Sequence, residues 1–107
     1  MLALLLAGIS PSCEKYVLPS LEVSPDTLFF SAKADSLRLH VETNVITSVV
    51  VEDAEIWISA SPDWFEESCD VVVRVEENEQ NSQRKGSLPI KSEAIKRTVV
   101  IVQEGKL

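Results

Sequence analysis

Apolar and polar residues alternate with a period of two along most of this chain. In "SLRLHVET", residues 36–43, Leu37, Leu39 and Val41 fall on one face and Arg38, His40 and Glu42 on the other, the pattern of a half-buried antiparallel strand. "DVVVRVEEN" at 70–78 repeats it with Val71, Val73 and Val75 inward. "GSLPIKS" at 86–92 directs Leu88 and Ile90 inward, and Pro89, which has no N–H to give to a ladder, predicts an edge strand or a bulge. "RTVVIVQEG" at 97–105 is apolar on both faces, which predicts a central strand covered from either side. "AEIWIS" at 54–59 reads as a straight strand with Ala54, Ile56 and Ile58 inward and Trp57 outward beside Glu55 and Ser59. Turn residues separate the runs: "SPD" at 24–26 and again at 61–63, "ENEQNSQ" at 77–83 and "EGK" at 104–106. No segment has the 3.6 period of an amphipathic helix. Short strands at this spacing predict an all-β fold, a two-sheet antiparallel sandwich.

The first residues do not share this pattern. Met1 to Ile9 is an apolar run with no charge, too short to span a bilayer, which takes roughly 20 residues, and of the length of a secretory signal core. Gly8, Ser10, Pro11 and Ser12 precede Cys13. The segment resembles a bacterial lipoprotein signal, in which the cysteine becomes the first mature residue and carries the lipids; it differs in having no Lys or Arg after Met1 and in Pro11. The alternative is a buried N-terminal strand, for which Leu, Ala and Gly are poor material. The resemblance implies a signal peptide over 1–12, a lipid anchor at Cys13 with a tether to residue 20, and a domain over 21–107. At about 3.3 Å per residue the tether reaches some 20–25 Å, which keeps the domain close to the membrane; the lipoprotein resemblance implies a place at the cell envelope, on the outer membrane. From Leu21 to Gln103 there is no repeat, low-complexity tract or second linker.

Charge narrows the partners. Seventeen acidic residues against ten basic give a net charge of −7, which disfavours nucleic acid and anionic lipid surfaces and leaves the lipid anchor as the membrane contact. If Cys13 is acylated, Cys69 stands alone in an oxidising compartment and reads as a small core residue; a Cys13–Cys69 disulfide competes with that reading and excludes lipidation. Catalysis finds little to work with. His40, the only histidine, lies on the polar face of its strand, and a relay would have to bring Cys69 or a serine to that exposed strand centre, which nothing in the spacing supports. Asp63, Glu66, Glu67 and Asp70 are close in sequence but match no calcium loop, His40 and Cys69 are too few for zinc, and three glycines make no phosphate loop. The chain reads as a non-enzyme with no metal and no cofactor.

The succession "SPDWF", "VVVRVEEN", "RKGSLPI" and "RTVVIVQEG" resembles the BACON domain, the Bacteroidetes-associated, often N-terminal module of secreted and surface proteins. The matching positions are Trp64, Asn78, Arg84 with Gly86, and Val100, Val102 and Gln103 with Gly105. The resemblance is close over 57–105 and rests on pattern alone over 21–56. It implies an immunoglobulin-like β-sandwich of about seven strands and a carbohydrate-binding role. The chain differs in having "EESCD" where a Gly-rich loop usually follows the tryptophan.

Each of these positions also has a local reason. Gly86 and Gly105 suit a backbone conformation that a Cβ resists, Asn78 suits a left-handed turn, and the Gln103 amide can satisfy strand or loop backbone groups. Trp64 reads as the ring that plugs the sandwich. Ligand contact then falls to Trp57, Phe65 and Glu55, since sugars are held by aromatic faces with polar groups at the rim. Two function classes follow: a lipid-anchored module that contacts a glycan or glycoprotein through those residues, or a spacer that docks another surface protein through an open sheet edge and binds no sugar.

Overall fold

A computed structural model describes residues 18–52 and 56–107, and every regular element within them is a strand. Nine follow in chain order: β1 (Leu21–Ser24), β2 (Thr27–Phe30), β3 (Asp35–Thr43), β4 (Thr47–Val49), β5 (Ile58–Ser61), β6 (Trp64–Phe65), β7 (Cys69–Val75), β8 (Arg84–Lys91) and β9 (Lys96–Gln103). They form an immunoglobulin-like sandwich of two sheets, one in the order β1-β3-β7-β5 and the other in the order β2-β9-β8-β4-β6. The apolar run at 1–9, Cys13 with its lipid or disulfide, and Glu55 lie outside the described residues.

Alternation builds the core. Leu21, Leu39, Val41, Val71 and Val73 from the first sheet meet Leu88, Ile90, Val99 and Ile101 from the second, all with no exposed surface. Register sets this: Leu39 pairs with Val71 and Val41 with Cys69, while Val99 pairs with Leu88, so each inward row is apolar across its sheet. Leu37 departs from the rule. It is 37% exposed because β1 covers β3 only from His40 to Thr43, leaving the start of β3 without that neighbour.

Four expectations need correction. Among the described residues the strands number nine rather than about seven, because the short β4 and β6 are added to one sheet. The sheets are not wholly antiparallel either: the chain crosses from one sheet to the other at Ser24-Pro25-Asp26, so β2 runs parallel to β9, with Leu28 beside Ile101. Pro89 sits in an interior strand, between β9 and β4. Its carbonyl accepts from Val50 N–H at 2.9 Å, and since N–H and C=O of an extended residue point the same way, the missing donor faces the point where β4 ends. β9 is covered on both faces over only part of its length: Val102 is 7% exposed but Val100 is 38% exposed on the outer side.

Candidate functional site

The aromatic residues fall in three different settings. β6 is a two-residue strand whose Phe65 pairs with Thr47 and whose Trp64 pairs with Ser48. Thr47 is fully buried, and Phe65, beside it, turns into the core at 8% exposure. Alternation then sends Trp64 outward, where it is 54% exposed. This reverses the sequence reading: Phe65 is the plug and Trp64 the open ring. Two residues carry no periodicity from which to set a phase, and only the pairing with buried Thr47 does so.

Trp57 is also placed differently. The segment before β5 is a turn, not a straight strand; Ile56 points out at 83% exposure, while Trp57 packs half-buried against the core and its carbonyl accepts from Glu76 N–H at 3.0 Å. One face of its ring is taken, since the Arg84 guanidinium carbon stands 4.3 Å from the ring centroid, a cation–π contact. Its outer edge joins Ile56, Ser36, Ser59 and Arg74 in an open groove of about 490 Å³. Trp57 is thus a wall of a groove and not a free platform.

Arg84 belongs to a buried polar knot. Its Nε donates to Gln103 Oε1 at 2.8 Å, and its Nη2 donates to the carbonyls of Glu76 and Glu77 at 3.0 and 3.2 Å. Gln103, fully buried, donates from Nε2 to the carbonyls of Glu76 at 2.9 Å and Ala32 at 3.3 Å. Asn78, also fully buried, donates its amide to the carbonyls of Ser82 and Glu104 and accepts from Gln80 N–H at 3.1 Å. Gly105 closes the knot: a Cβ there would meet the Asn81 backbone at 2.6 Å. No described glycine has a positive φ, so Gly105 is needed for this close approach and not for an unusual backbone angle; Gly86 is simply a buried position of β8. Asn78, Arg84, Gln103 and Gly105 therefore tie the ends of β7, β8 and β9 to the β2–β3 loop.

The profile of the viral BACON domain matches residues 20–106. The chain belongs to the BACON domain family. Among solved structures, the BACON sandwich is similar to part of a Bacteroides ovatus GH5 xyloglucanase in complex with a XXXG heptasaccharide, with TM-score 0.73 and 19% identity over 81% of this chain and 19% of that one. It is similar to the periplasmic chaperone SfaE, with TM-score 0.63 and 10% identity over 82% and 59% of the two chains. It also resembles a protein from Bacteroides thetaiotaomicron solved by NMR, with TM-score 0.53 and 14% identity over 86% and 92%. At these identities the likeness is one of fold, and the chain spans about a fifth of the xyloglucanase. No curated protein matches the chain in sequence.

The BACON domain's titratable groups are structural in arrangement. His40 bridges two strands on the outer face of the first sheet: Nδ1 donates to Asp70 Oδ1 and Nε2 to Glu42 Oε2, each at 2.7 Å. Ionised carboxylates only accept, so both ring nitrogens must carry protons and the ring is a cation in this arrangement. The hydrogen bonds to Asp70 and then Glu42 raise its pKa above the usual 6.5. The His40 contribution to stability is therefore complete below pH 6.5 and is lost as pH rises through the raised folded value. An NMR titration of this single histidine is expected to show the raised midpoint, and Asp70→Asn to bring it back toward 6.5; no change on that substitution would detach the shift from Asp70. Cys69 packs part-buried against the core, and burial, followed by Asp70 and Glu67, pushes its thiol up, the opposite of an activated nucleophile. Among the described residues no group of three or more His, Cys, Asp or Glu side chains is placed to hold a metal, so Asp63, Glu66, Glu67 and Asp70 do not converge. No buried side-chain N or O among them lacks a partner.

Proposed function

We propose that this BACON domain is a non-catalytic module of the cell envelope, attached through Cys13 as an outer-membrane lipoprotein, that contacts a glycan or glycoprotein through an exposed aromatic ring on a sheet face. The observation that carries the reading is Trp64, a large ring more than half exposed on a strand position paired with Ser48. A fixed aromatic face meets the C–H face of a sugar at little cost in ordering. The family supports a binding role, and the fold recurs in a xyloglucanase whose structure holds a heptasaccharide. The polar knot, with its satisfied hydrogen bonds, gives the sandwich rigidity and leaves the sheet faces for contact.

The residues named from sequence contribute unequally to this reading. Phe65 offers no face to a ligand, and Trp57 offers only the edge that lines its groove. A glycan array with the purified chain is expected to give saturable signals that Trp64→Ala removes and Phe29→Ala, at a distant corner of the same sheet, does not. Absence of any saturable signal would leave the spacer and docking reading, which has its own support in Phe29, 71% exposed on the open edge strand β2, where it pairs with Val102 and lies diagonal to the exposed Val100 of β9.

A further inference from the structure

The two sheets divide the charge of the chain very unevenly. The five strands of the second sheet contain Arg84, Lys85, Lys91, Lys96 and Arg97, half of the ten basic residues, and none of the seventeen acidic ones. The first sheet holds Glu22, Asp35, Glu42 and Asp70 against Arg38 and Arg74. Register puts Lys85, Lys91 and Lys96 on the outer face of this sheet, while Arg84 turns into the polar knot and Arg97 reaches Leu21 O and Glu22 of the first sheet, so in a chain of net charge −7 the strands give that outer face three lysines and no carboxylate.

Register arranges part of that face in a line. Trp64 pairs with Ser48, Ser48 with Lys91, and Lys91 with Lys96, so a ring, a hydroxyl and two ammonium groups follow one another across β6, β4, β8 and β9. Trp64, Ser48 and Lys91 point outward, because their neighbours Phe65, Thr47 and Ile90 are buried, and Lys96 shares the face of its partner Lys91. Three strand spacings make the row about 14 Å long, a fit for a short linear oligosaccharide. Lys91 and Lys96 are exposed, and among the described residues neither has a carboxylate within salt-bridge distance. The hairpin joining them does carry Glu93, but that residue lines a separate groove at the end of the sandwich with Pro19, Asn44 and Glu66; Asp63 adjoins the row only at its Trp64 end.

We infer that this row binds anionic carbohydrate, Trp64 stacking on a sugar ring while Lys91 and Lys96 take carboxylate or sulfate groups of neighbouring sugars. The inference rests on the glycan reading above and says which glycans. An ammonium group is a compact charge with three donors, suited to either anion. The linear order favours a thin, rod-like ligand over the broad acidic surface of a folded protein. Because the rest of the molecule is acidic, long polyanions are repelled beyond the patch, and binding is to short segments and weakens with salt.

The purified full chain is titrated calorimetrically with four probes: an oligogalacturonate, a heparin-derived oligosaccharide, a neutral xyloglucan oligosaccharide and polyglutamate. Charged oligosaccharides are expected to bind more tightly than the neutral one at low salt. An exposed ion pair contributes up to about fivefold in affinity, so the double change Lys91→Glu with Lys96→Glu should weaken charged probes by about tenfold or more and leave the neutral probe unchanged. Trp64→Ala should weaken both kinds. A Lys91→Gln, Lys96→Gln pair with an unaltered denaturation midpoint, showing the same trend, separates charge from folding. Binding of only one charged oligosaccharide supports the inference and assigns the anion. If neutral and charged sugars bind equally and the lysine changes do nothing, the anionic preference is wrong while the glycan reading stands; if no carbohydrate binds, both fall. Tighter binding of polyglutamate than of any sugar would reassign the row to an acidic protein segment.

Discussion

Replacing Gln103 by Leu is expected to lower the stability of the domain by about 2 kcal/mol, a large share of what a domain of this size possesses. The amide is fully buried and serves both sides of the knot: Oε1 accepts from Arg84 Nε at 2.8 Å and Nε2 donates to Glu76 O at 2.9 Å. Leucine fills a similar volume but leaves the half-buried Arg84 Nε–H without its partner, an orphan that costs about 1–3 kcal/mol, and it takes the second bond from the carbonyls of Glu76 and Ala32, which keep Arg84 Nη2 and Asn78 N–H as donors. Arg84 is also the cover of Trp57, so the loss should extend to the packing of that ring and appear as a change in tryptophan fluorescence. Equilibrium denaturation in urea measures it, as a lower midpoint at unchanged slope. A loss below about 1 kcal/mol would mean that water replaces the amide and that the knot does not hold the strand ends together.

How much of this could be read from the chain depends on how far each residue's role is local. Two-residue periodicity is a local property, and the inward sets of 37–41, 71–75 and 88–90 were legible wherever a strand exceeded about five residues. Leu39, Val41, Val71, Val73, Val75, Leu88 and Ile90 are all buried. Where the run was short or flanked by a turn, phase could not be set from within. Trp57 sits at the junction of a turn and β5, and the half-turn before Ile58 reverses the direction expected for it. Trp64 and Phe65 form a strand too short to show alternation. The polar knot was legible residue by residue but not as a unit, because its members lie far apart in sequence: Gln103 reaches Ala32 and Glu76, 71 and 27 positions away. Pro89 misled for a similar reason, since where β4 ends is decided by tertiary pairing. The basic row needed the strand order itself, for Trp64, Ser48, Lys91 and Lys96 become neighbours only when β4 is inserted between β6 and β8.

Phe65→Ala and Trp64→Ala should separate by about 2 kcal/mol or more although the two residues are adjacent. Phe65 is 8% exposed within the main apolar cluster, and truncating a buried phenylalanine costs about 3–5 kcal/mol through lost burial and the cavity left behind. Its position on a two-residue edge strand lets the site relax, which points to the low end, about 3 kcal/mol. Trp64, 54% exposed, loses mainly outer-face contact, and surface changes of this kind stay within about 1 kcal/mol. Thermal or urea denaturation of the two variants therefore tests the phase of β6 directly. The reverse order would put Trp64 back in the core, and with it would go the aromatic end of the row Trp64, Ser48, Lys91, Lys96. The order expected here makes Trp64→Ala a folded protein lacking one ring, so that any binding it loses belongs to the surface and not to the fold.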